Sequence, residues 1–376
     1  MNVIIAGDFA PSEKISKYIK EKKYAEIFSK DLQQIIASAD YSLANLECPV
    51  IKRTYKPIDK CGPNLGCGPE AVEAITYAGF SGVTLANNHI FDYGKEGLFE
   101  TVKCCREAGL DVVGVGKNLK YAEKILILEK DTKKLAIINC CEHEFSIATE
   151  TDAGANPLNL VRQFYAIQEA KQKADHVLVI VHGGHEHYPL PSTRMQETYR
   201  FFVDAGADAV VNHHQHCFSG YEIYREKPIF YGLGNFLFDK ISKMPETWYY
   251  GFMVELDFSE DRIAYKLYPY EQCKNYIGVR LLHNRHEFDK RIIELNNIIV
   301  DSRKLKSAEN EYYAATVQSF KTMYQPYENR ILNKLYRMNL LPNIVSKQKY
   351  LKIYNYLNCE AQRDKQLVAL KTIIEK

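Results

Sequence analysis

Short apolar runs that stop at a polar cluster, each followed by a helical pattern, recur along the first 240 residues. The runs are NVIIAGD, YSLANLE, SGVTLANNH, KLAIINCCEHE, HVLVIVHGGHE and ADAVVNHHQH. Apolar stretches this short, bounded by polar residues, read as buried strands. Between them the apolar spacing predicts helices over Ala71 to Ala78, Glu96 to Ala108, Val161 to Lys173 and Met195 to Ala205, several closed by an Ala-Gly dipeptide as a C-cap. KPIFYGLGNFLFD and WYYGFMVELDF read as strands of a closing sheet, with Gly234-Asn235 at a strand-to-loop junction. From about residue 283 the pattern becomes charged and helix-periodic, in HEFDKRIIELNNIIV, ENEYYAATVQSFKTMY and LVALKTIIEK. The pattern thus predicts an α/β domain over residues 1–280 and a helical extension over 281–376.

In folds built this way, functional groups gather where the strands end, because the loops there converge on one edge of the sheet. The strand ends supply Asp8, Glu47 in NLE, Asn88 and His89 in ANNH, His182 in HGGHEH, and His213, His214 and His216 in HHQH. Divalent ions that activate water need oxygen and nitrogen ligands brought from separate strand ends, with positions left open. Taken singly, each residue is weak: an aspartate after a strand is more often a turn or helix-cap residue, and a single histidine is more often a satisfied core group. Two imidazoles two positions apart face one ion only if the chain turns at the strand end.

Composition narrows the class. With 46% hydrophobic and 26% charged residues over 376 positions, the chain is globular and long enough for a large core. Its net charge of +2 implies no polyanionic partner. Residues 281–376 nevertheless carry 17 Lys and Arg against 10 Asp and Glu, about +7, which leaves the first 280 near −5. No aromatic residues interleave with these bases in a recognisable motif, so nucleic acid is not expected as a partner. The extension reads as a solvated helical cap, or as a surface for a second copy or a biosynthetic partner. Ten cysteines at irregular spacings suggest reduced thiols, with Cys140 and Cys141 inside an apolar core run. MNVIIAGDF has no features of a secretory leader and no run of about 18 apolar residues follows, so a cytoplasmic location without a membrane segment is expected.

Jointly, the order Asp, acid, Asn-His, His, His-x-His, each at a strand terminus, resembles the calcineurin-like metallophosphoesterase superfamily, whose motifs run D-x-H, GD, GNH, H and GH-x-H. The wording is closer still to the bacterial capsule-synthesis family CapA (PGA_cap, poly-gamma-glutamate capsule biosynthesis). The matching stretches are GDFAP, ANLECPV, GVTLANNHIFDYGKEGL, VIVHGGHEHYPLP, GADAVVNHHQHCFSGYE and YGLGNFLFD, spanning roughly residues 3 to 257. The resemblance implies a four-layer αββα metallophosphatase-like sandwich. It implies one or two divalent ions (Mn, Zn, Fe or Mg) held by Asp8, Glu47, Asn88, His182, His214 and His216, with Glu47 where the superfamily has a bridging aspartate. His89 would be the acid for a leaving group, Asp92 its orienting carboxylate, and His213 and Asn45 would support the ligands from behind. Asn235, His185, Glu186 and Arg194 are the nearest candidates for substrate contacts, with Glu142 and Glu144 of the same standing. Two departures stand out: D-x-H becomes Asp8-Phe9-Ala10, and the bridging residue is glutamate.

The resulting expectation is a metal-dependent hydrolase in capsule or cell-surface polymer biosynthesis, acting on a phosphate ester or a related polymer or amide bond through metal-activated water. The alternative is a non-hydrolytic accessory protein of a polymer-synthesis complex that retains the metal pocket.

Overall fold

The computed structural model of the chain describes residues 1–240, 243–260, 262–327 and 329–374. The apolar runs form two mixed sheets. In the first, strands Asn2–Phe9, Tyr41–Leu46, Gly82–Thr84 and Asp111–Val113 run parallel and side by side, and Tyr250–Asp257, Ala264–Gln272 and Val279–Leu281 extend the sheet antiparallel from Asn2–Phe9. The short strand Asn235–Leu237 also pairs with Asn2–Phe9, in parallel. In the second sheet, Lys133–Cys141, His176–His182, Ala209–His213 and Lys227–Phe230 are parallel, with antiparallel edges Leu126–Lys130 and Tyr221–Tyr224.

Strand alternation explains why the runs are apolar throughout. Val3 and Ile5 point into a core shared with Leu135, Ile137, Leu178 and Ile180 of the other sheet. Ile4 and Ala6 point the other way, into a core made with the helices that cover the first sheet. The outer face of the second sheet is covered by Leu160–Lys173 and Thr193–Asp204, which bury Ile167, Ala170, Tyr199 and Phe202. The layers are therefore helix, sheet, sheet, helix, as the fold expectation held.

Observed helices Glu70–Ala78, Gly94–Glu107, Leu160–Lys173 and Thr193–Asp204 lie within one to two residues of those predicted. The first ends in the Ala-Gly manner expected, with Gly79 at φ 101°. SGVTLANNH is strand for three residues only. Beyond it the Ala86 N–H is taken by the Asn139 side chain at 2.8 Å, which releases Asn87 to His89 into a loop.

Two compact units make up the chain, residues 1–306 and 307–376. Helix His286–Ile299 belongs to the first, because Phe288 and Ile292 complete the core between the sheets. The change from strand to helix near residue 281 thus precedes the boundary between the units. The second unit contains helices Arg330–Arg337, Lys347–Asn358 and Glu360–Ile374, the last two packed on each other. LVALKTIIEK is helical through Ile374, and its last two residues fall outside those described. Among the described residues, no helix is long and apolar enough to cross a membrane.

Candidate metal centre and adjoining cavity

The carboxyl ends of the parallel strands of both sheets meet at one edge. Asp8 is in register with Asn45 on one side and Asn235 on the other, and His213 is in register with His182. The approach of Asn235–Leu237 depends on Gly7: a Cβ there would lie 1.8 Å from the Gly234 carbonyl oxygen. Without that side chain, the Asp8 N–H donates to the same carbonyl at 3.2 Å, which sets Asn235 beside Asp8.

HHQH turns because His214 and His216 both adopt left-handed backbone, at φ 90° and 55°. Left-handed conformations in residues other than glycine are uncommon and persist where surrounding contacts hold them. Here the His214 N–H donates to Asp8 Oδ2 at 3.2 Å, and both rings are brought to the same side. His182 Nε2 then lies 3.1 Å from His214 Nδ1, 3.0 Å from Asn88 Oδ1 and 3.4 Å from Glu47 Oε1. His216 lies 3.5 Å from Asp8 Oδ2 through Nδ1 and 3.8 Å from Glu47 Oε1 through Nε2.

Two overlapping ligand sets result, Glu47 with His182 and His214, and Glu47 with Asp8 and His216; within each, the ligand atoms lie within 4.8 Å of one another. All six predicted ligands, Asn88 included, thus come to one place. Glu47 is fully buried and neither of its oxygens has a hydrogen-bond partner. A buried carboxylate in that state is costly unless a cation compensates it. Carboxylate, imidazole and amide oxygen donors without a thiolate suit Mn, Fe, Zn or Mg. The residues therefore fit a divalent ion.

The electrostatics agree. Burial, reinforced by the Asp8 charge, pushes the Glu47 carboxyl well above the usual carboxylate range. Burial also opposes ionisation of Asp8, but its His216 hydrogen bond and the surrounding imidazoles outweigh it and hold Asp8 below its ordinary value. Burial keeps His182 and His214 neutral, the form that ligates metals. His216 also loses hydration on burial, yet the Glu47 and Asp8 charges push it up to about 9.

Around the sets, Asn45 donates to Asp8 Oδ1 at 2.8 Å and faces His182 Nδ1 at 3.2 Å, while its own oxygen accepts from Thr84 and Asn87. His213 turns its ring back to the Ala6 carbonyl oxygen, 3.0 Å away, outside both sets. Asn235 is fully buried: its oxygen is 2.9 Å from His216 Nδ1, and its amide donates to the His216 and Trp248 carbonyls. It orients His216. Arg194 pairs with Glu142, which also accepts from the Gly184 N–H. Glu144 stands 3.9 Å from His214 Nε2, and His185 sits against Tyr188 with ring centroids 6.4 Å apart.

His89 Nδ1 lies 2.7 Å from Asp92 Oδ2. The sequence reading missed the third member of this group: Lys60, only 3% exposed, is ion-paired with Asp92 and lies 3.2 Å from His89 Nδ1. Beside them is a cavity of about 260 Å³, lined by His89, His216, Glu186 and His187 on one side. Leu65, Phe238, Met244 and Trp248 form its apolar wall, with Lys240 also lining it. Of these, His89 and His216 were singled out by the strand-end pattern and Glu186 as a candidate substrate contact. Trp248, the one tryptophan of the chain, carried no motif that would have marked it.

Comparison with known proteins gives a match to the family model "Bacterial capsule synthesis protein PGA_cap" over residues 2–240. The capsule biosynthesis protein CapA of Bacillus anthracis is 32% identical over 249 residues, covering 64% of this chain and 60% of that protein. The PGA biosynthesis protein CapA of Bacillus subtilis is 31% identical over 245 residues, covering 63% and 64%. The chain thus matches less than two thirds of the length of either relative. A solved phosphatase structure from Mycoplasma pneumoniae aligns with a TM-score of 0.45 at 14% identity, covering 78% of this chain and 98% of that one.

Proposed function

The chain belongs to the bacterial capsule synthesis protein family PGA_cap, and from that premise we propose that it is a metal-dependent hydrolase serving cell-surface polymer synthesis, acting on a phosphate ester or a related polymer or amide bond. The observation that carries the reading is Glu47: a buried carboxylate with both oxygens unpartnered, shared by two ligand sets beside a cavity.

One or two divalent ions held by Asp8, Glu47, Asn88, His182, His214 and His216 would supply an acidified water and neutralise charge developing on a phosphoryl or acyl oxygen. The chain's own residues do the rest. Asn45 and the His214 N–H fix both oxygens of Asp8, and Asn235 fixes the His216 ring. His89 lines the cavity with Nδ1 committed to Asp92, which leaves Nε2 to give a proton to a leaving group. Lys60 and the Leu65 N–H hold Asp92 in turn, so the imidazole is anchored through its carboxylate. The apolar wall excludes water from one side of the reacting group.

The test is metal content joined to activity. Purified chain should carry one to two divalent ions, and His182→Ala or His214→Ala should lower both the bound metal and hydrolysis across a panel of phosphate esters. Protein without near-stoichiometric metal, and variants indistinguishable from the parent on the panel, would overturn the hydrolase reading in favour of a non-hydrolytic accessory role.

A further inference from the structure

We propose that Lys240, with the Phe238 and Trp248 rings beneath it, forms an anion subsite that holds the non-reacting end of the ligand, a carboxylate or phosphate on a short apolar stem. The inference rests on the hydrolase reading only for which end reacts.

Three observations support it. First, the two lysines at the cavity are unevenly matched: Lys60, beside it, is neutralised by Asp92, and Lys240 lines it. The Lys240 ammonium has no carboxylate within ion-pair distance among the described residues; it stands 4.6 Å from the Phe238 ring centroid and 5.8 Å from that of Trp248. An ammonium placed over aromatic faces keeps its charge and remains free to meet an anion.

Second, the apolar wall is fixed in place. Trp248 Nε1 donates to the Phe238 carbonyl at 2.8 Å, and the two rings lie 5.0 Å apart. The same indole is 5.1 Å from the His216 ring and 5.7 Å from His187. A continuous aromatic path therefore leads from the ligand set containing His216 to Lys240, which suits an apolar stem between two polar ends. Third, about 260 Å³ lies below the span of roughly 300–1,000 Å³ usual for drug-sized ligands, so the space suits one small unit.

Trp248 makes the subsite observable without turnover. In full-length protein stripped of metal, its emission is followed while propylphosphonate, butyrate or butanol is added. Saturable change with propylphosphonate, butyrate or both, and none with butanol, is expected; the anion that saturates tells a phosphate end from a carboxylate end. Lys240→Gln should weaken that binding at least tenfold, and Lys240→Arg should retain it within about threefold. Equal affinity of the parent and Lys240→Gln for the anions, saturation by butanol at the same concentrations, or no response to any probe overturns the proposal. Anion binding that persists in a protein without near-stoichiometric metal, whose His182→Ala and His214→Ala variants match the parent on the ester panel, would leave the subsite standing and remove the hydrolase reading, so the two failures are distinct.

Discussion

Replacing Glu47 by glutamine should make the metal-free protein more stable while abolishing its response to metal. Glu47 is completely buried, its oxygens accept no hydrogen bond, and the Asp8 carboxylate adds repulsion. The attraction it gives up is to His216, which keeps Asp8 at 3.5 Å as a counter-charge. Removing a buried carboxylate that accepts no hydrogen bond is worth about 1–3 kcal/mol. The unit spanning residues 1–306 exposes enough surface on unfolding that 1 kcal/mol corresponds to about 1.5 °C. The metal-free midpoint of Glu47→Gln should therefore rise by about 2–5 °C.

Metal acts in the opposite sense on the two proteins. An ion present at 100 times its dissociation constant stabilises the parent by about 2.7 kcal/mol, or about 4 °C on the same scale. In Glu47→Gln both ligand sets lose their shared anion, and the shift should fall below about 1 °C. The assay is thermal unfolding followed by circular dichroism, in EDTA and across a manganese titration. A lower metal-free midpoint would show that Glu47 supports the fold by itself, and an undiminished manganese shift would show that it is not shared between ligand sets; either refutes the reasoning.

Two other substitutions test the surroundings. Lys60→Met takes the lysine from a buried ion pair, so urea unfolding should show a loss of about 3–5 kcal/mol, and adding Asp92→Asn should recover at least about 1 kcal/mol of it; additive losses would mean that the two do not act as a pair. Asp208, on the far side of the second sheet, is disfavoured as an anion by burial, yet His176, Lys227 and the Val177 N–H hold it below its ordinary value. Its folded value being the lower one, the stability it contributes is present above about pH 4 and is lost as pH falls through the folded value. Asp208→Asn should thus cost about 1–3 kcal/mol at pH 7, with the difference from the parent shrinking at pH 3; a constant difference would remove the electrostatic explanation.

The strand ends could be read from the sequence because burial on both faces imposes a local signal, an apolar run that stops where the chain leaves the sheet. Asp8, Glu47, Asn88, His182, His214 and His216 all sit at or just beyond such stops, and they converge. What strand ends do not encode is which distant segments close over them. Lys60 lies 29 residues before His89 in a loop with no periodicity, and reaches it because the Ile58 N–H pairs with the Asp92 carbonyl at 2.9 Å. Trp248 and Phe238 meet through a hydrogen bond between an indole and a carbonyl. The strand Ala264–Gln272 was likewise illegible: Ala264, Tyr265 and Lys266 are exposed and Pro269 interrupts the pattern, so only its last four residues are uniformly buried. Asn235 was placed at the right edge for a different task, since its register opposite Asp8 depends on the missing Cβ of Gly7.

The same register bears on the Phe9-Ala10 departure. Ala10 is buried, and its N–H donates to the Leu237 carbonyl at 2.9 Å, which helps to hold the Asn235–Leu237 strand. That strand delivers Asn235 to His216. Each ligand set has an asparagine amide oxygen beside one of its imidazoles: Asn88 Oδ1 lies 3.0 Å from His182 Nε2, and Asn235 Oδ1 lies 2.9 Å from His216 Nδ1. Ions in the two sets would be coupled through Glu47, the one residue that both sets contain.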